Sequence, residues 1–209
     1  MPSEAQQQGI HRTLIWIFAF IAMVLGLVFS TYMHRDRTLS VEEAASLGYI
    51  QFERPREVKG LQMMNQDGGV VDESAFKGRW TWVYFGFTYC PDICPTTLAM
   101  LAKALEGLDE PPDVVLVSVD PERDSPEQLK RYLSAFSPSF KGMVGSHAQT
   151  VTFATQVNVA FGKIPGSEPG TYTMDHTGSI VVMNPAGEYA GFIKAPHNVQ
   201  GLATIASRL

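Results

Sequence analysis

The chain has 209 residues, 45% of them hydrophobic and 18% charged, which suits one globular domain plus a small extra piece and argues against disorder. Net charge is −5 and no run of Lys or Arg exceeds two, so the basic footprint of a phosphate-binding surface is missing and nucleic acid is not an expected partner.

The extra piece is Leu14 to Tyr32, "LIWIFAFIAMVLGLVFSTY", which carries no charge. As a helix rising ~1.5 Å per residue it would extend ~28 Å, enough to cross a bilayer. A buried core helix and a cleaved signal peptide are the competing readings. The run is apolar all round, no Ala-x-Ala site follows closely, no cysteine stands near it to accept a lipid, and Trp16 and Tyr32 sit where interfacial aromatics belong. These features predict an uncleaved anchor over 14–33, preceded by a short tail over 1–13. Arg12 before the span and Arg35 and Arg37 after it are too few to set orientation, and a long folded domain can cross regardless of such charges. The N-terminal segment lacks the Arg-rich amphipathic character of a transit peptide. The expected location is therefore a bacterial inner membrane, single-pass, with the soluble domain in the periplasm.

From residue 34 to 58 the chain is polar without a clear period and is expected to be a linker, with the domain over 59–209. "LQMMNQDGGVV" predicts two short strands around an Asp-Gly-Gly turn, and "WTWVYFGF" at 80–87 a buried strand. Leu98, Leu101, Leu105 and Leu108 share one face of a helix expected over Pro95–Leu108, and "VVLVSV" at 114–119 predicts a second buried strand. Ser125 as N-cap, Pro126 at the first position and Gln128 completing a capping box predict a helix to about Phe136. A helix over 148–161, a strand at "GSIVVM", a turn at "NPAG", a hairpin partner at "EYAGFI" and a closing helix over Val199–Leu209 follow. Alternating strands and helices with a terminal hairpin predict a small α/β domain with a mixed sheet.

Both cysteines of the chain lie in "YCPDICPTT", four residues apart. A Cys-x-x-Cys step would read as an ordinary thiol-disulfide motif; the extra residue does not fit that pattern. Each cysteine precedes a proline, which biases it away from helical geometry. The spacing therefore places Cys94 at a helix cap, Pro95 at the first helical position and Cys90 facing the same point. Partial positive charge and free amides there would lower both thiol pKa values. A disulfide staple, a reversible dithiol and a metal site all remain open at this point, although so short a loop offers a staple little chain-entropy stabilisation.

Two thiolates make an incomplete metal site, so a third ligand is sought among five histidines. His11 and His34 flank the apolar span, His147 in "GSHAQT" suits a helix start, and His197 in "KAPHNV" reads as solvated. His176 stands in "YTMDHTGSIVVM" at the entrance to an expected central strand, after a loop "KIPGSEPGTY" long enough to fold over a neighbouring site. A hydrogen-bonded structural histidine is the alternative. Two sulfurs and one imidazole suit Cu(I), while zinc takes similar ligands and normally a fourth.

Together "VYFGFTYCPDICPTTL", "SVDPERDSPEQL" and "MDHTGSIVVMNPAGEY" resemble the Sco/SenC family of membrane-anchored copper proteins, over roughly residues 55–209. The resemblance implies a thioredoxin-like fold, copper as Cu(I) with Cu(II) as a second form, and ligation by Cys90, Cys94 and His176. It also implies a role in building the binuclear copper centre of cytochrome c oxidase subunit II, with a thiol reductant and another copper donor as further partners. Tyr89 stands where many members have histidine before the first cysteine, which removes an auxiliary ligand. Asp120, Pro121, Arg123 and Asp124 match the family's Asp-Pro-x-Arg-Asp pattern, as a turn and cap or as residues tuning the site, and not as ligands. The rival reading is a thiol-disulfide reductase that keeps an acceptor's cysteines ready for copper with Cys90 and Cys94 alone; a peroxidase-like thiol enzyme is weaker still.

Overall fold

The computed structural model describes the backbone of residues 4–33 and 39–209 and the side chains of residues 14–30 and 39–209. The chain divides into two compact units, Met1–Thr38 and Leu39–Leu209. In the first, α1 (Glu4–Met33) is a single 30-residue helix, and its apolar side chains, among them Leu14, Trp16, Phe18, Leu25 and Phe29, are exposed. Among the described residues no helix is long and apolar enough to cross a membrane. The expected span runs to residue 33, and the side chains of residues 31–33 lie outside the described ones.

The second unit begins with α2 (Val41–Ser46), β1 (Tyr49–Glu57), β2 (Met63–Asn65), β3 (Val70–Val71) and β4 (Thr81–Gly86). It continues with α3 (Ile93–Leu105), β5 (Asp113–Ser118), α4 (Pro126–Ser134), β6 (Lys141–Val144) and α5 (His147–Gln156). The hairpin β7 (Phe161–Pro165) and β8 (Tyr172–His176) follows, then β9 (Ile180–Met183), β10 (Glu188–Ile193) and α6 (Val199–Ala206). Eight strands form one mixed sheet in the order β1-β10-β9-β4-β5-β6-β2-β3, and β7 and β8 form a separate antiparallel pair. The strands β4, β5 and β6 run parallel; β9 lies antiparallel on the other side of β4 with Tyr84 opposite Ile180.

Every residue of β4 is buried, as befits a central strand covered on both faces. The alternation sends Phe85 toward Phe153 of α5 (ring centroids 5.4 Å apart), while Gly86 on the opposite face lies beneath Cys94 of α3. Leu98 and Leu101 of α3 are fully buried, each contributing about 1.5–3 kcal/mol, and α3 packs beside α6. Gly142 on β6 lets α4 settle onto the sheet, since a Cβ there would meet Leu133 at 3.0 Å and Leu129 at 3.1 Å.

Several boundaries differ from expectation for identifiable reasons. Residues 41–57, expected within a linker, form α2 and the edge strand β1, which pairs with β10. Ser40 caps α2, Tyr49 is buried, and Pro55 falls where the β1–β10 register shifts, so its missing N–H breaks no ladder. The helix expected over 148–161 stops at Gln156, and Asn158 takes a positive φ of 59°. The loop expected over the site is the β7–β8 hairpin. Ser125 caps α4 and Pro126 follows as expected, but the Gln128 side chain donates to Thr88 Oγ1 (2.8 Å), so the reciprocal half of that capping box is not made. The complete capping box is Ser146 with Gln149 at the start of α5.

Because β1 belongs to the folded unit, a chain starting at residue 59 bares the edge of β10 and loses the burial of Tyr49, worth about 1.5–3 kcal/mol on the scale for large side chains. Its urea midpoint should fall well below that of a chain starting at Leu39; equal midpoints would return residues 41–57 to the linker.

Candidate metal centre

The β4 strand delivers the cysteine loop to one edge of the domain, at the C-terminal ends of the parallel strands β4 and β5, where α/β sheets place function. Cys94 occupies the second position of α3 and is fully buried, with its sulfur over Gly86; a Cβ on Gly86 would lie 3.1 Å from that sulfur and 3.3 Å from Tyr84 Cε1. Cys90 is half-buried, and both cysteines are free thiols. The N-cap residue Asp92 makes no side-chain cap bond; the backbone N–H of Cys94 donates instead to Cys90 Sγ at 3.4 Å. One sulfur thus takes up an amide that the first helical turn leaves without a partner.

This geometry corrects two expectations. Cys94 is helical although it precedes a proline, because Pro95 in the first turn removes an N–H that has no intrahelical acceptor there. The Cys94 thiol pKa is raised, not lowered. Burial pushes it well above the ordinary thiol value, with a hydrogen bond to Cys90 acting in the same direction.

His176 ends β8, and its Nε2 lies 3.4 Å from Cys94 Sγ. The Nδ1 atom donates to the Thr177 carbonyl at 3.2 Å; a carbonyl can only accept, so the proton sits on Nδ1 and Nε2 turns its lone pair toward the sulfur. Two aromatic edges hold the ring, Tyr84 at 5.7 Å and Phe87 at 6.3 Å between centroids, both nearly perpendicular to it. Burial lowers the imidazole pKa from 6.5, so the ring is neutral at pH 7. An ion ~2.3 Å from a sulfur and ~2.0 Å from a nitrogen in tetrahedral disposition separates the two by about 3.5 Å, close to the gap between Cys94 and His176. Among the described residues no group of three or more His, Cys, Asp or Glu stands arranged to hold a metal ion. The three expected residues are joined pairwise, Cys90 to Cys94 and Cys94 to His176.

The remaining histidines lie elsewhere. His147 begins α5 and packs edge-on to Phe161. His197, expected to be solvated, is half-buried and donates from Nε2 to the Gly178 carbonyl at 2.9 Å. The side chains of His11 and His34 lie outside the described residues.

Acidic residues brace the cysteine loop from behind. The buried carboxylate of Asp124 accepts Thr88 Oγ1 and Ser118 Oγ, each at 2.6 Å, and the Thr88 N–H at 3.2 Å. Asp120, also buried, accepts from Arg123 Nε and from the Tyr172 hydroxyl at 2.9 Å. Thr88, Ser118 and Tyr172 were not anticipated in these roles, and only their nearness to the motifs could have signalled them. The hydrogen bonds of Asp120 and Asp124 run to Arg123, Tyr172, Thr88 and Ser118.

Two outcomes follow. Gly86→Ala must push against Cys94 Sγ and should cost about 1–3 kcal/mol in urea unfolding, and an unchanged midpoint would contradict that packing. Burial raises the Asp124 pKa above 3.8, so its contribution to stability is full below that value and is lost as pH rises through its folded pKa. The stability advantage of the native chain over Asp124→Asn should therefore shrink between about pH 4 and neutrality; a widening gap would reverse the sign.

Residues 52–209 match the family model described as SCO1/SenC. The chain is 36% identical over 202 residues to the protein named SCO2 homolog, mitochondrial, of Mus musculus, covering 90% of this chain and 75% of that one. Among solved structures, it matches copper-bound ScoI of Arabidopsis thaliana with a TM-score of 0.66 and 34% identity, over 71% of this chain and 94% of that one. It matches copper-bound ScoI of Bradyrhizobium japonicum with a TM-score of 0.64 and 33% identity, over 73% and 100% respectively. The thioredoxin-like α/β fold with mixed sheet and flanking helices agrees with the expectation. With a family model spanning most of its length, this chain belongs to the SCO1/SenC family.

Proposed function

We propose that the protein is a membrane-anchored copper chaperone that takes copper through Cys90, Cys94 and His176 and delivers it to the binuclear copper centre of cytochrome c oxidase subunit II. The observation that carries this reading is the approach of His176 Nε2 to Cys94 Sγ at 3.4 Å, with Cys90 Sγ on the amide of Cys94. Two soft thiolates and a neutral imidazole are the donors Cu(I) favours. The half-buried Cys90 and the fully buried Cys94 offer an acceptor an order of exchange, the exposed sulfur first. Copper is cargo here and no substrate bond is made or broken. The exposed apolar side chains of α1 favour a membrane anchor; the proposed location is a bacterial inner membrane with the domain in the periplasm, where a thiol reductant must keep the pair open and another copper donor would load it.

A second reading draws on the pairing of a half-exposed and a buried thiol: thiol-disulfide exchange. Cys90 as thiolate attacks an acceptor disulfide and releases one acceptor thiol. Cys94 then resolves the mixed disulfide and releases the second, leaving Cys90 and Cys94 oxidised and the acceptor reduced by two electrons. His176 has no necessary part in this.

Copper stoichiometry and affinity, measured without oxygen against a Cu(I) chelator, separate the two. The chaperone reading expects one copper per reduced chain, loss of tight binding in Cys90→Ser or Cys94→Ser, and about tenfold or weaker binding in His176→Ala. Retention in His176→Ala equal to the native chain would favour the exchange enzyme. Because the buried Cys94 thiol must release its proton and His176 is already neutral, apparent Cu(I) affinity should climb between about pH 6 and pH 8, with proton release accompanying copper uptake. The slope should be the same in His176→Ala, and a pH-independent affinity would contradict thiolate ligation.

A further inference from the structure

The two halves of the candidate site come from different parts of the fold. Cys90 and Cys94 follow β4 of the main sheet, whereas His176 ends β8, which pairs only with β7 among the described strands. Something must hold the hairpin at a fixed distance from the cysteine loop. The Arg123 side chain reaches toward both.

The Arg123 guanidinium donates through Nε to Asp120 and through Nη1 to the Tyr172 carbonyl at 3.2 Å, and it stacks 3.9 Å from the centroid of the Tyr172 ring. Tyr172 is held a second time by its hydroxyl on Asp120 (2.9 Å), and Lys163 Nζ, paired with Glu122, lies 4.1 Å from the same ring. Tyr172 and His176 are four residues apart on one strand and so lie on the same face, ~13 Å from each other along it. The guanidinium is also 5.0 Å from the centroid of the Tyr89 ring and 5.8 Å from that of the Phe87 ring. Tyr89 is the neighbour of Cys90, and Phe87 packs edge-on against His176 itself.

Resting on the copper-site reading above, we infer that Arg123 is a positioning residue: it ties the β8 strand to the cysteine loop and sets the distance at which His176 meets Cys94. A planar fork with an aromatic-stacking face can serve the carboxylate, the carbonyl and the rings at once, which a lysine cannot. Groups that orient metal ligands from behind typically change metal affinity 10–100-fold when removed.

The test is a double-mutant cycle on the full chain, reading Cu(I) affinity by chelator competition for the native protein, Arg123→Ala, His176→Ala and the double variant. Arg123→Ala should bind 10–100-fold more weakly, and the double variant should bind no more weakly than His176→Ala, because Arg123 acts only through His176. The Cu(II)-loaded Arg123→Ala chain should also lose the nitrogen hyperfine coupling of its electron paramagnetic resonance spectrum, a change that general destabilisation would not produce. Native affinity in Arg123→Ala, or additive losses in the double variant, would overturn the inference while leaving the ligand set standing. Native affinity in His176→Ala would instead overturn the ligand set. If Arg123→Ala fails to fold, the same cycle with Arg123→Lys, which keeps the charge and loses the fork, decides in the same terms.

Discussion

The contact between Cys94 Sγ and His176 Nε2 joins residues 82 apart in sequence, and most of the domain's architecture serves to make it. Strand β4 must be apolar on both faces to run through the centre of the sheet, and it must end in a glycine to admit a sulfur above it. Strand β9 must lie antiparallel beside β4, so that the residues just before Ile180 arrive at the end of β4 where the cysteine loop begins. The aromatic rings of Tyr84 and Phe87 then pack nearly perpendicular to the imidazole ring and fix its orientation.

Burial sets the chemical character of this contact. It keeps the His176 ring neutral at physiological pH and raises the cost of ionising the Cys94 thiol, so the protonated pair is comfortable and the bare thiolate is not. A soft cation that displaces the thiol proton removes that cost by neutralising the charge it creates. The helix N-terminus contributes through geometry, by presenting an amide to Cys90.

Much of this was legible in the residues. The strand at 80–87, the helix bearing Leu98 and Leu101, the cap at Ser125 and the terminal hairpin each carry local signals strong enough to survive tertiary context. What was missed depends on distant partners. In β1 the burial pattern is mostly exposed beyond Phe52, and its charged, proline-containing run reads as a tether until β10 supplies the pairing. Gln128 has a perfectly good local partner in the Ser125 amide and abandons it for Thr88, 40 residues away. The hairpin of β7 and β8 is hidden among glycines and prolines, and the burial of Cys94 follows from Gly86, which no pattern of hydrophobicity reveals.

X-ray absorption at the copper edge of the Cu(I)-loaded, reduced full chain counts the sulfur and nitrogen atoms around the ion. Ligation by Cys90, Cys94 and His176 predicts two sulfur scatterers at about 2.3 Å and one nitrogen scatterer at about 2.0 Å, typical metal–ligand lengths for these donors. A sulfur-only environment in the native chain would contradict it, for then the approach of His176 to Cys94 would be no more than a buried hydrogen bond.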